Sequence, residues 1–182
     1  MITLIIEGAD NLGKTTAAKR LAALHLDRTG EAIPVIHHGP PTDPVMEYST
    51  ELLRPAIHDR GHLGWLVWQG MLAQSGTEFD RLAMEQLVRV LRVVHRVIVV
   101  CLYADDDWYC ERIAEYDDRD ELMPPNIRRV ANRAFAQLCW SRDGNCEKYV
   151  DIPYNVSVSG FPSDATLNRW LDRCSLRQSE AL

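Results

Sequence analysis

Gly8, Gly13, Lys14 and Thr15 restrict this chain more than any other residues, because they complete the spacing Gly-x-x-x-x-Gly-Lys-Thr between an apolar run and a helical pattern. The apolar run, residues 2–6, reads as a buried strand, and the glycines let the backbone after it turn tightly. Successive N–H groups in such a turn face inward as a concave anion nest, the P-loop arrangement. A bound polyphosphate would satisfy them. Lys14 can reach the β- and γ-phosphates, Thr15 offers a hydroxyl to Mg2+, and the positive end of the following helix dipole points at the same place. Gly8, Asn11, Leu12, Gly13, Lys14, Thr15 and Thr16 are therefore the candidate nucleotide-binding residues.

Composition limits what such a site can belong to. The 182 residues, 46% hydrophobic and 25% charged, suit one globular domain with a sizeable core. A net charge of −6 and a pI near 5.5 argue against a general binder of nucleic acid or anionic membrane. The five cysteines form no CxxC and no metal-finger spacing, and no signal peptide or long apolar span is present, so a reducing cytoplasm is expected.

Strand and helix patterns alternate along the chain. A helix with Ala17, Ala18, Leu21 and Leu24 on one face follows the P-loop and ends near Thr29-Gly30. Residues 32–37 read as a strand, 39–44 as a proline loop, 45–53 as a helix, and 55–61 as a brief strand delivering Asp59 and Arg60 to a loop. A buried helix is expected over 62–72, and a capping box at 77–80 opens a long one reaching Val94. The β-branched run 96–103 has the form of a central parallel strand. Helices over about 106–115, 125–138 and 164–174 and a strand over 149–152 complete the pattern, with residues 116–123 a charged surface segment. The fold expected is a three-layer α/β/α sandwich around a parallel sheet of about five strands. Its ligand site should lie beyond the carboxyl ends of the strands.

The run Glu7-Gly8-Ala9-Asp10-Asn11-Leu12-Gly13-Lys14-Thr15-Thr16, followed by Asp59-Arg60, resembles the thymidylate kinase family. It is most similar to the compact phage-type members through Gly39-Pro40-Pro41 and Asp59-Arg60-Gly61-His62-Leu63, and the likeness covers most of the chain, a single P-loop kinase domain over 1–182. The resemblance implies that Asp10 stands near the acceptor sugar, that Arg60 holds the acceptor phosphate, and that Asp59 lies near Mg2+ with Thr15. Chemistry agrees on Arg60, since a guanidinium grips phosphate oxygens bidentately.

Some family members place a catalytic arginine inside the P-loop, where this chain has Asn11. The charge on the migrating group would then come from Arg112 or Arg119, in a lid over about 112–124. Arg54 is a second candidate for the acceptor phosphate, and Trp65, Trp68 and Gln69 are candidates for the base pocket. His37, His38, His58, Asp59 and His62 do not read as a metal cluster, because adjacent strand residues face opposite ways.

The expected activity is transfer of the ATP γ-phosphoryl to dTMP or a related, even modified, pyrimidine deoxynucleotide, with Mg2+ and without a covalent intermediate. The nearest rival is a deoxynucleoside kinase of the same fold, whose sugar-hydroxyl acceptor wants a carboxylate base such as Asp59 or Glu7. A non-catalytic P-loop binder would be expected to carry a guanine-reading Asn-Lys-x-Asp, which is absent. The partners expected are small nucleotides, not nucleic acid or membrane, with a homodimer left open. The expected location is cytoplasmic, the host cytoplasm for a phage-encoded chain.

Overall fold

The computed structural model describes residues 2–39, 42–72, 86–87, 89–91, 97–115, 124–140 and 149–179. Five parallel strands, β1 (Thr3–Gly8), β2 (Val35–His37), β3 (Ala56–Asp59), β4 (Ile98–Tyr103) and β5 (Ile152–Asn155), form one sheet in the order β2-β3-β1-β4-β5. Every residue of β4 is buried, as its unbroken apolar run requires when helices cover both faces. The helices are α1 (Lys14–Thr29), α2 (Pro44–Glu51), α3 (His62–Leu72), α4 (Asp106–Glu115), α5 (Pro125–Trp140), a single turn α6 (Val156–Ser159) and α7 (Asp164–Ser179). Among the described residues, no helix is long and apolar enough to cross a membrane.

Helix α1 lies along β1, β2 and β3 with α7 beside it, while α5 packs on β4 and touches α3 and α4. Leu4, Ile5 and Ile6 of β1, Ile57 of β3 and Ile98 to Leu102 of β4 are sealed from solvent between these layers. Two polar devices fix the helices to the sheet. The Asn132 side chain donates to the Ala104 carbonyl at 2.8 Å and accepts from its N–H at 3.0 Å, which seats α5 at the end of β4. Arg20 on α1 donates to Asp164 at the start of α7 at 2.8 Å, an exposed pair that adds orientation more than stability.

Three elements differ from expectation by three residues or more at a boundary. Strand β2 starts at Val35 rather than residue 32, because Pro34 has no N–H; its carbonyl still accepts from Ile57 at 2.9 Å. Strand β5 runs over Ile152–Asn155 instead of 149–152. Pro153 is tolerated there because β5 is an edge strand, while Asp151 makes the ladder-like contacts before it, its N–H to the Val99 carbonyl and its carboxylate to the Val99 N–H. Helix α7 continues past Cys174 to Ser179; Leu176 is exposed, so the apolar stripe stops before the helix does. The helix expected from the 77–80 capping box falls outside the described residues except for 86–87 and 89–91, which are helical, with Leu87 and Leu91 buried.

The sheet order positions the site. The chain moves from β1 outward to β2 and back to β3, then crosses over β1 to β4, so the direction of winding reverses around the central strand. A crevice opens beyond the carboxyl ends at such a reversal, and the turn leaving β1 is residues 8–13.

Candidate active site

The turn after β1 takes its shape from backbone torsions that side chains resist. Gly8 has φ 135° and Gly13 has φ 81°, and Asn11, at φ 62°, occupies the left-handed region that asparagine tolerates best after glycine. Gly13 is the residue before α1, and the first turn of that helix has neither a side-chain cap nor an acidic residue. Among the described residues no side chain caps its N–H groups, which leaves them and the positive dipole end open to an anion. Leu12 is fully buried, so only its backbone can serve a ligand, while Thr15 and Thr16 are exposed.

Lys14 is 5% exposed. Its ammonium donates to the Ala9 carbonyl and lies 3.6 Å from Asp10. Burial lowers its pKa from the ordinary lysine value, with the Asp10 charge opposing. Asp10 also accepts from Arg60 at 3.0 Å, so one carboxylate joins the P-loop to the residue after β3. Arg60 itself has φ 74°, and its N–H donates to the Ile6 carbonyl at 2.9 Å. A non-glycine residue in that region costs about 1–2 kcal/mol, so the sheet holds Arg60 in its place.

A second bridge runs parallel to the first. Thr15 donates its hydroxyl to Asp59 Oδ2 at 2.6 Å, and His37 Nδ1 donates to the same oxygen at 2.8 Å. Asp59 is fully buried, and its Oδ1 has no partner among the described residues. A buried carboxylate oxygen without a partner is costly. A hydroxyl and a carboxylate are also the oxygen donors that a hard divalent cation takes, so Thr15 and Asp59 fit Mg2+.

Other expected residues fall differently. Arg54 precedes β3 at the amino edge of the sheet, where its carbonyl accepts from Thr3 and its guanidinium pairs with Glu51. Strand β3, Ala56–Asp59, advances roughly 10 Å, so Arg54 and Arg60 stand at its opposite ends. Trp65 and Trp68 are half-buried and pack against the hydrophobic core. Arg119 lies outside the described residues, as does the side chain of Gln69, and so does most of the segment expected to be a lid. Arg112 on α4 sits over the Phe161 ring, 5.2 Å from its centroid, and pairs with Glu115.

Phe161 is the residue that sequence reading missed. The loop carrying it follows α6, which is fastened to the end of β4 by Asp105 N–H to Ser157 and by Asn155 to Asp105. The Phe161 ring lies against Gly13 so closely that a Cβ there would come within 2.9 Å of it. With Trp108 edge-on at 6.3 Å and Arg112 above, this half-exposed ring forms an aromatic face at the mouth of the P-loop. The lone Phe-Pro between two helical patterns carried no signal beyond a turn.

Comparison with known proteins adds little to this geometry. No protein-family model matches the chain, and no curated protein matches it. Among solved structures it is similar to a deoxyadenosine kinase from M. mycoides with bound dCTP, at 12% identity and a TM-score of 0.48, over 94% of this chain and 98% of that one. A gluconokinase from Sinorhizobium meliloti matches at 12% identity and TM-score 0.48, over 97% of both chains. An uncharacterized protein from Eubacterium ventriosum matches at 13% identity and TM-score 0.43, over 96% of this chain and 98% of that one.

Two buried titratable groups sit just behind the site. Glu7, the residue before Gly8, is 1% exposed and accepts from the N–H groups of Leu63 at 2.8 Å and Gly64 at 3.2 Å, so it caps α3 from the central strand. Burial raises its pKa to about 7 against those hydrogen bonds. His58 on β3 donates through Nε2 to the Arg54 carbonyl and accepts at Nδ1 from His38, and burial lowers its pKa to about 4. The consequences for stability have opposite signs. The Glu7 contribution is complete below pH 4.5 and is lost as pH rises to about 7; the His58 contribution is complete above pH 6.5 and is lost as pH falls to about 4. Between pH 4.5 and 6.5 the two slopes should nearly cancel. Glu7→Gln should then uncover a stability that rises with pH by about 3 kcal/mol across that window, and His58→Gln one that falls by a similar amount. Urea unfolding of the metal-free protein at several pH values checks both signs.

Proposed function

We propose that this chain is a P-loop phosphotransferase that moves the γ-phosphoryl of ATP to the phosphate of a deoxynucleoside monophosphate, dTMP or a related pyrimidine nucleotide. The observation that carries the reading is the meeting of the P-loop with the end of β3, Asp10 on Arg60 and Thr15 on Asp59. A nest for a triphosphate and a separate, part-exposed guanidinium thus stand within one ion pair of each other. Arg60 would exchange Asp10 for the acceptor phosphate, and the released Asp10 would stand beside the acceptor sugar. Lys14 and the open first turn of α1 would hold the donor phosphates, with Phe161 and Arg112 offering a stacking face to the donor base. Thr15 and Asp59 would hold Mg2+, which neutralises charge on the triphosphate when bound. Arg60 and Lys14 then act by positioning and by fixed charge, which is most of what phosphoryl transfer asks of a protein.

The rival acceptor, a sugar hydroxyl, needs a base. Both carboxylates that could serve have another task in this reading: Glu7 caps α3 out of solvent, and Asp59 receives Thr15 and His37 on Oδ2 and would give Oδ1 to Mg2+. An acceptor phosphate is already ionised at neutral pH and needs none, so this arrangement favours the monophosphate. Incubation with ATP and Mg2+ and a panel of deoxynucleosides and their 5′-monophosphates tests the choice. Turnover of dTMP or another pyrimidine monophosphate is expected; turnover of nucleosides alone would overturn it.

A further inference from the structure

Asp59 and His37 face one another as register partners across β3 and β2, and the His38 N–H donates to the Asp59 carbonyl at 3.0 Å, so the two strand ends are locked side by side. A carboxylate oxygen only accepts, so the 2.8 Å contact places a proton on His37 Nδ1. Thr15 donates to the same oxygen, Oδ2. Among the described residues the carboxylate therefore has two donors on one oxygen and none on the other, Oδ1, although the residue is fully buried. Nothing in the packing of the core requires this asymmetry, because the His37 side chain is more than half exposed and buries little apolar surface.

From this geometry we infer that His37 is a positioning residue for the cation site. Its N–H holds Asp59 by Oδ2, which leaves Oδ1 to serve a divalent cation beside the Thr15 hydroxyl. Thr15 alone cannot fix the carboxylate, since one hydrogen bond leaves it free to rotate about that contact, whereas two donors from different elements, α1 and β2, determine its plane. Hydrogen bonds of this kind behind a metal ligand change metal affinity by roughly 10- to 100-fold when removed. His37 need not touch nucleotide or cation to have this effect.

The inference rests on the proposed nucleotide site, and its test separates the two. The dissociation constant of ADP is measured by titration calorimetry in excess Mg2+ and again in EDTA, for the wild type, His37→Ala and His37→Asn. The asparagine amide restores an N–H donor near the position of Nδ1. The expected result is an EDTA value within twofold across all three proteins, a Mg2+-dependent gain in affinity reduced roughly 10-fold in His37→Ala, and a gain within about threefold of wild type in His37→Asn. Equal gains in wild type and His37→Ala would overturn the positioning role while leaving the nucleotide site intact. Equal losses in the alanine and asparagine variants would overturn it too, because the N–H would then be irrelevant. A wild type that binds no ADP in either buffer would sink the site itself. His37→Phe keeps the ring's bulk without the donor; should the alanine variant fail to fold, it takes that place, with the same loss expected.

Discussion

Lys14→Ala should lower kcat/KM for phosphoryl transfer about 10³-fold, equivalent to about 4 kcal/mol of transition-state stabilisation, while the protein stays folded. The expected size follows from where the amine is held. It is buried, tied to the Ala9 carbonyl and set beside Asp10, so its charge acts in a site with little water to screen it. Burial disfavours the charged amine in the free protein, and a bound polyphosphate would offset that cost. Removing the charge should therefore hurt the loaded enzyme far more than the empty one. Steady-state kinetics with dTMP or the preferred acceptor, together with thermal unfolding of the empty protein, reads both effects. Activity within tenfold of wild type would refute the assignment of Lys14.

Gly8→Ala should destabilise the fold by more than about 4 kcal/mol, with loss of soluble protein a natural outcome. Gly8 pairs with Leu102 in the β1–β4 ladder, and a Cβ on it would lie 2.1 Å from the Leu102 carbonyl oxygen and 2.9 Å from its carbonyl carbon. Both atoms are backbone in a strand buried along its whole length, so no rotamer change relieves the collision; β1 and β4 would have to part. The φ of 135° adds strain of its own. Gly30→Ala separates the two causes. Gly30 ends α1 with φ 74° and has open space around its Cβ position, so that change should cost only about 1 kcal/mol. Urea midpoints of the two variants compare them directly, and similar costs would show that torsion, not collision, governs Gly8.

Much of the site was legible in the sequence because it is local. The P-loop is eight consecutive positions whose glycines set backbone torsions, and the observed positive φ values at Gly8, Asn11 and Gly13 fall inside that run. The 96–103 run announced β4 for a similar reason: strand-forming side chains buried on both faces need no polar alternation. Arg54 shows what proximity in sequence leaves open. It stands five residues from Asp59 in sequence, yet strand β3 separates the two, with Arg54 before its first residue and Asp59 as its last.

By itself, then, the sequence determined a glycine turn between a strand and a helix, a parallel α/β sheet and the pair Asp59-Arg60 at a strand end, since each is a property of contiguous residues and their period. Tertiary structure alone decided which groups meet there. It set Glu7 against the first turn of α3 and His37 against Asp59, and laid Phe161 on Gly13. Those contacts depend on which strand or loop stands beside which in the sheet order, and a long-range pairing leaves no periodic trace in either partner.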